Sequence, residues 1–431
     1  MSYAIGVAIL VVGLLVSIAL HEVGHLVPAK RFGVKVPVYA VGFGRTLWST
    51  VRGGTEYAVK ALPLGGYVRL AGMYPPSVGS PSRRPDGRLT MVEDARQETL
   101  ADLGPGEEHR AFYALTVPRK LVVMAGGPLM NLLIAAVLLV VMQVGLGAPT
   151  PSATVQTVLP CVTTTGTCED GDPASPAAVA GFQPGDRIIR WGGAEVGSWS
   201  DVTAEIRASG TAGVDVVVER DGRTTTLVVV PVEVERVLTD EAGRPLTDDD
   251  GNQVTQVLPY VGIQPRFELQ PASLGEVPGI MWYATTQTFG VILQLPQEMW
   301  RLAESLVTGG ERDGELIGLL GAGRIAGEIA SVPSEQYGLA ERTYDMLGLL
   351  VSLNIALFAF NVIPLPPLDG GHVAGALVEG TRKGWARLRG MPVPRPVDMA
   401  RVLPLTYGVV VALVGMGLLL AWADIVRPVA F

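Results

Sequence analysis

His21-Glu22-Val23-Gly24-His25 stands near the start of the chain, and Asn361-Val362-Ile363-Pro364-Leu365-Pro366-Pro367-Leu368-Asp369-Gly370-Gly371 near its end. The reading of the fold turns on these stretches, because each puts ionisable residues into an apolar run. On a helix, residues i and i+4 share a face, so the imidazoles of the first stretch both reach one tetrahedral metal, with Glu22 beside it and within reach of its water. The chain holds only four histidines, so two of them flanking a glutamate at this spacing is not an accident of composition. A polar cluster that only glues helices together is the alternative; ionisable residues inside apolar segments mark function by default. In the second stretch, closely spaced prolines end a helix just before Asp369 and free backbone groups that only a protein-lined or wet cavity tolerates. An aspartate placed there needs a partner, and the metal is the obvious one.

The 431 residues are 48% apolar with a mean hydropathy of +0.35, which places the chain in the membrane class. Segments 4–27, 121–146, 346–363 and 402–423 are each long enough to cross a bilayer core. The first has no basic n-region and no small-residue cleavage site before the HEVGH stretch, so it reads as a retained span, not a signal peptide. Lys30, Arg31 and Lys35, then Arg119 and Lys120, then the six basic residues between 382 and 401 all fall on one side of a four-crossing path, which makes that side the cytoplasm. Residues 147–345 carry 12 Arg, no Lys and 28 Asp plus Glu, a net −16 against −8 for the chain. That block is the outer face, both chain ends lie on its side, and its acidity argues against a nucleic-acid partner. The metal site then lies near the cytoplasmic end of its helix.

Residues 32–73, with Gly42-Phe43-Gly44 and partial period-two alternation from Thr55 to Leu70, predict short strands in a hairpin whose edge dips into the membrane and lines the site. Residues 74–118 read as a mobile cytoplasmic loop with a solvated His109. Gly126-Gly127-Pro128 allow the second span to pack closely on the metal helix, and Asn131 in the same span needs an internal partner. In the outer block a helix at 201–208 precedes two β-rich runs around Asp221-Gly222, a strong hairpin signal. This order, over 152–232, resembles a bacterial PDZ domain, a fold that binds an extended peptide by strand addition; a structural β domain without a ligand is the alternative. Residues 233–265 form a second hairpin with Asp248-Asp249-Asp250-Gly251 as a solvated turn. The uncharged 277–295 stretch reads as an interfacial amphipathic segment continued over 300–307, because a fifth crossing would put the basic 382–401 loop outside. Cys161 and Cys168 are the only cysteines, and a local disulfide and free thiols both remain open.

With HEVGH, GFG, PLGGYV, AGGPLMN, SLN and NVIPLPPLDGG in order along it, the chain resembles the site-2 protease family of intramembrane zinc metalloproteases, in the bacterial branch of regulator of sigma-E protease type. The fold implied is a polytopic α-helical membrane protein with about four transmembrane helices, a membrane-associated β-hairpin and an inserted extracytoplasmic PDZ-like α+β domain. Its parts are 1–146, 152–232, 233–345 and 346–431. The resemblance implies one Zn2+ held by His21, His25 and Asp369, with Glu22 as general base. It also implies that Asn354 and Asn361 hold the substrate backbone and that the strands bearing Tyr57, Gly65, Gly66 and Tyr67 present an edge to it. His372, next to the LDGG, either supports the metal ligands from behind or packs near the interface, and the second reading is favoured. The activity implied is cleavage of the transmembrane segments of single-pass proteins, such as anti-sigma factors, after a separate protease makes a first external cut. A zinc transporter would show internal repeats, and none is visible; a catalytically idle PDZ scaffold would need neither Glu22 nor Asp369.

Overall fold

The computed structural model describes residues 2–79, 81–162, 168, 171–237, 254–308, 316–332 and 337–426. The chain begins with α1, Ser2–Arg31, an almost uninterrupted apolar helix that ends on Lys30 and Arg31. Strands β1, Val38–Arg52, and β2, Thr55–Arg69, follow, joined through Gly53-Gly54, both at positive φ, as a tight hairpin turn requires. They are much longer than the short strands expected, because shifts of register fold them into a curled sheet. Residues 38–41 face 66–69 on one side and 56–59 on the other, while 46–52 pair with 55–60.

Within the stretch read as a mobile loop stands α2, Met91–Ala101, capped by the Thr90 side chain. Arg96 anchors this helix, reaching Glu93 at 2.5 Å and Asp398 at 2.6 Å. The second of these partners is 302 residues away along the chain, and no local pattern announces such a contact. Helix α3, Val117–Val140, runs on through a π turn at Val141–Leu146.

Gly147–Pro271 is a unit of its own. Its elements are β3 (Ala148–Val158), α4 (Pro176–Ala180), β4 (Arg187–Trp191), β5 (Ala194–Glu195), α5 (Trp199–Ser209), β6 (Val214–Arg220), β7 (Arg223–Val229), β8 (Val232–Val237), β9 (Thr255–Tyr260) and β10 (Ile263–Gln270). The main sheet runs β10-β3-β4-β6-β7, with β5 beside β4. The unit therefore extends past 232, since its edge strand β10 comes after the second hairpin, β8–β9. The acidic 248–251 turn of that hairpin lies outside the described residues. Local chemistry sets the boundaries: a capping box of Ser198 and Asp201 starts α5, and Asp221-Gly222, both at positive φ, turn β6 into β7. The core is Val155, Ile188, Trp191, Val202, Val216, Val218 and Val229, all fully buried. Buried Asp186 is paired with Arg220 at 2.6 and 2.7 Å, and Cys161 and Cys168 form a disulfide.

The chain then returns to the helical unit, Met1–Leu146 with Ala272–Phe431, as α6 (Val277–Thr308), α7 (Leu319–Ser331), α8 (Leu339–Val362), α9 (Asp369–Leu388) and α10 (Leu403–Val426). Among the described residues, four helical stretches are long and apolar enough to cross a membrane: Ser2–Arg31, Val117–Leu146, Leu339–Val362 and Met399–Val426. They overlap the four apolar segments of the sequence. Helix α6 is not among them; it is one continuous helix whose Val277, Ile280, Met281 and Ala284 join a cluster with α3 and α8, while Trp282, Leu293 and Trp300 stay exposed.

Polar and small contacts fix the helices against each other. A Cβ on Gly24 would collide with the Gly126 carbonyl, and one on Gly126 with the Gly24 carbonyl, so α1 and α3 cross in backbone contact. Asn354 of α8 donates to the Ser17 hydroxyl of α1 at 3.0 Å. Lys120 of α3 donates to Glu379 of α9 at 2.8 Å, with both groups buried. Because the collision at the glycine crossing is with backbone, no rotamer relieves it. Gly126→Ala is expected to destabilise the protein by roughly 1–3 kcal/mol, read as a lower unfolding temperature in detergent. Gly415→Ala in α10, where a Cβ meets open space, is expected to leave that temperature unchanged; equal effects of the two variants would contradict the crossing.

Candidate metal centre

Helix α1 presents His21 and His25 on one face, and the Nε2 atoms of the two rings stand 3.3 Å apart. Asp369, the first residue of α9, brings its Oδ2 to 3.3 Å from His21 Nε2 and 3.2 Å from His25 Nε2. A tetrahedral ion with bonds of about 2.0–2.1 Å holds its ligand atoms about 3.3–3.4 Å apart, so this near-equilateral triangle matches one face of such a site. Among the described residues it is the one grouping of metal-ligating side chains this close.

Hydrogen bonding supports the same fit. His25 Nδ1 lies 2.8 Å from the Val123 carbonyl; donation there leaves the Nε2 lone pair free to ligate, the usual arrangement behind a metal-bound imidazole. Asp369 Oδ2 is buried and accepts no well-formed hydrogen bond, although two nitrogens lie close by. Ligand-type atoms gathered this closely are aimed at a common point. Two imidazoles and one carboxylate, with no thiolate, suit zinc.

Glycines make room for the triangle. A Cβ on Gly127 would collide with the Nε2 atoms of both His21 and His25, filling the place of the ion. A Cβ on Gly370 would strike the Val362 and Ile363 carbonyls, and one on Gly371 would press on Pro366. Without those side chains, the start of α9 folds back onto the end of α8, with Leu368 N–H donating to the Leu365 carbonyl at 3.0 Å and Gly371 N–H to the Leu368 carbonyl at 3.0 Å.

Glu22 is buried beside the triangle. Gly66 abuts it, since a Cβ there would lie 3.0 Å from Glu22 Cγ. Residues 66–69 pair with 38–41 on one side only, so their other edge has no strand partner among the described residues. The Tyr39 hydroxyl donates to the Ala19 carbonyl at 2.8 Å, tying β1 to α1. Burial first, and then the Glu22 carboxylate, push that phenol up to about 12, so it stays neutral at ordinary pH.

The structure does not gather every residue singled out from the sequence. Tyr57 accepts a hydrogen bond from Lys30 at 3.0 Å and packs at the end of α1. Gly65 has φ +120°, and the Phe43 ring beside it stacks with Tyr67 at 6.0 Å. Asn354 is spent on Ser17 and on the Leu350 carbonyl, and Asn361 donates to the Leu357 carbonyl at 2.9 Å. Asn131 is fully buried and makes no hydrogen bond, so the internal partner expected for it is not found among the described residues. His109 is exposed, 3.1 Å from the Gly106 carbonyl, and His372 lies outside the triangle. The role of Gly127 went unread, although Gly126-Gly127-Pro128 already signalled a close approach.

A His-His-Asp centre with a glutamate beside it, its histidines and glutamate on a helix long and apolar enough to span a membrane, defines a membrane zinc metalloprotease. The model of Peptidase family M50 matches residues 9–399, and the chain belongs to that family, the site-2 proteases. It is 33% identical to the zinc metalloprotease Rip1 of Mycobacterium tuberculosis, over 100% of this chain and 99% of the relative. It is 28% identical to the metalloprotease MmpA of Caulobacter vibrioides, over 98% and 97%. Against the zinc metalloprotease RasP of Oceanobacillus iheyensis it is 25% identical, over 87% and 90%.

Gly127→Ala is expected to abolish zinc retention, measured by elemental analysis of the purified protein, while the helical content read by circular dichroism stays as in the wild type. Full zinc occupancy in that variant would contradict the placement of the ion.

Proposed function

We propose that the protein is an intramembrane endopeptidase that cleaves the transmembrane segments of single-pass membrane proteins, with His21, His25 and Asp369 holding one zinc ion and Glu22 acting as general base. The triangle of ligand atoms with Glu22 and a free strand edge at its side is the observation that carries this reading. When bound, zinc supplies the Lewis acidity that polarises a scissile carbonyl and acidifies water. Glu22 takes the proton of the attacking water and delivers it to the leaving amine. The packed Gly66 limits where its side chain can move between the two transfers.

A peptide bond in a membrane helix is protected by its own hydrogen bonds and by the absence of water. The unpaired edge at 66–69 offers backbone groups to a substrate that has unwound, replacing the bonds it gave up. Asn361, at the end of α8, would hold the substrate backbone further along, and Asn354 would add its buried Oδ1, which has no hydrogen-bond partner among the described residues. Site, cytoplasmic loops and Arg/Lys clusters share the cytoplasmic side of this reading, with both chain ends and the Gly147–Pro271 unit outside.

That unit is read as a PDZ-like sieve. In its support, β10 is an edge strand, and a cavity of about 310 Å³ is lined by Trp199, Thr203 and Ile206 of α5 and by Gly262, Ile263 and Pro265 at β10. A cleft between a helix and a sheet edge is what strand addition of a peptide needs. The unit would exclude substrates with bulky outer domains, so cleavage waits on a first external cut by another protease, as in regulated intramembrane proteolysis of an anti-sigma factor.

With a single-pass reporter trimmed on its outer side, Glu22→Gln is expected to lower cleavage about 10²–10⁴-fold while zinc content matches the wild type. Equal cleavage by both would remove Glu22 from its role. Deleting 147–271 is expected to let an untrimmed reporter be cut as fast as a trimmed one; undiminished discrimination would rule out the sieve.

A further inference from the structure

A second cavity, of about 980 Å³, opens in the helical unit between the segment carrying α2 and the chain that runs from α9 into α10. Its lining carries four arginines, Arg96, Arg382, Arg395 and Arg401, against one glutamate and one aspartate. The two carboxylates are already engaged. Arg96, only 6% exposed, spans Glu93 at 2.5 Å and Asp398 at 2.6 Å. Asp398 also accepts from the Ala400 N–H at 3.2 Å, and Glu93 from the Ser77 hydroxyl at 3.2 Å.

The other arginines have little to hold them. Arg401 reaches Asp398 at 3.4 Å, but its side chain is 80% exposed. Arg382 and Arg395 are exposed, and among the described residues neither has an ion pair or side-chain hydrogen bond. With four guanidinium groups against two carboxylates the lining keeps a net charge of +2, and the planar fork of arginine is suited to phosphate oxygens. Placement of positive charge beside a span, which membrane topology alone asks for, does not require these groups to share one cavity with the hydroxyl side chains of Thr90 and Tyr113. The cavity also sits at a membrane edge, since Arg401 lies within the candidate span Met399–Val426. Basic pockets at that level are where anionic head groups bind.

We propose that this cavity is a binding site for a phosphate-bearing anion, held by Arg382, Arg395 and Arg401 and separate from the metal centre. The Arg96 network, one positive charge against two negative ones, forms its buried wall, with Arg401 3.4 Å from Asp398 offsetting the excess, and fixes α2 to the chain ahead of α10. The anion is a phospholipid head group or a soluble phosphate compound, which offer the same oxygens to the same three side chains. Occupancy would brace the segment carrying α2 against the base of the last span.

The test uses the full zinc-loaded chain in a neutral detergent, titrated calorimetrically with dioctanoyl phosphatidylglycerol in one arm and inorganic pyrophosphate in the other. Saturable one-site binding is expected in at least one arm, with affinity falling at least tenfold in Arg382→Gln/Arg395→Gln and largely kept in Arg382→Lys/Arg395→Lys. Binding of the lipid alone identifies a head-group site, and binding of pyrophosphate a soluble one. No saturable binding in either arm, or wild-type affinity in the glutamine variant, would overturn the proposal. Both side chains are exposed and unpaired, so zinc content and unfolding temperature of the variants serve as the check that folding is intact.

Discussion

Three ligand atoms within 3.3 Å of one another, brought from the two ends of the chain, are the constraint on which the helical unit depends. Lone pairs aimed at one point inside an apolar helix cluster are costly unless a cation sits between them. The surrounding structure is arranged to make that approach possible. Helix α3 passes the imidazoles as bare backbone at Gly127, α1 and α3 touch at Gly24 and Gly126, and the start of α9 folds onto the end of α8 through Gly370 and Gly371. Each of these positions trades conformational entropy for room. The Asn354–Ser17 and Lys120–Glu379 contacts then tie α8 to α1 and α9 to α3, so the helices that carry the ligands cannot drift apart independently.

The same constraint explains why the curled sheet of β1 and β2 lies where it does. Glu22 follows His21 directly and so flanks the face of α1 that carries both histidines, about 100° of helix rotation from His21, where its side chain needs cover. Gly66 does so, because a glycine lets the strand approach the Glu22 side chain, and the same strand keeps one backbone edge unpaired among the described residues. The histidine-aspartate triangle, Glu22 and an open edge therefore come from neighbouring parts of one packing arrangement.

Much of this was legible before any coordinates. The i, i+4 spacing of His21 and His25 and the helix break before Asp369 are local, strong signals, and the four apolar segments follow from length and hydropathy. What stayed hidden depends on contacts between residues far apart in the chain. Helix α2 looked like a mobile loop because its anchor, Asp398, is 302 residues from Arg96. The β unit looked as if it stopped near 232 because the strand that completes its sheet, β10, arrives only after a second hairpin. Tyr57, Gly66 and Tyr67 were grouped through the family resemblance of their strands, and strand alternation sends neighbouring side chains to opposite faces. Gly66 meets Glu22 while Tyr67 stacks on Phe43. Gly127 was read only as a packing residue, since a glycine's role as empty space appears only when both partners are in place.

The most direct test of the account is X-ray absorption at the zinc edge of the purified protein. It predicts one zinc per chain with a low coordination number, two imidazole nitrogens and carboxylate oxygen in the first shell at about 2.0–2.2 Å, and no sulfur. A sulfur shell, a six-coordinate oxygen environment, or an imidazole signal that persists unchanged in His21→Ala/His25→Ala would contradict it.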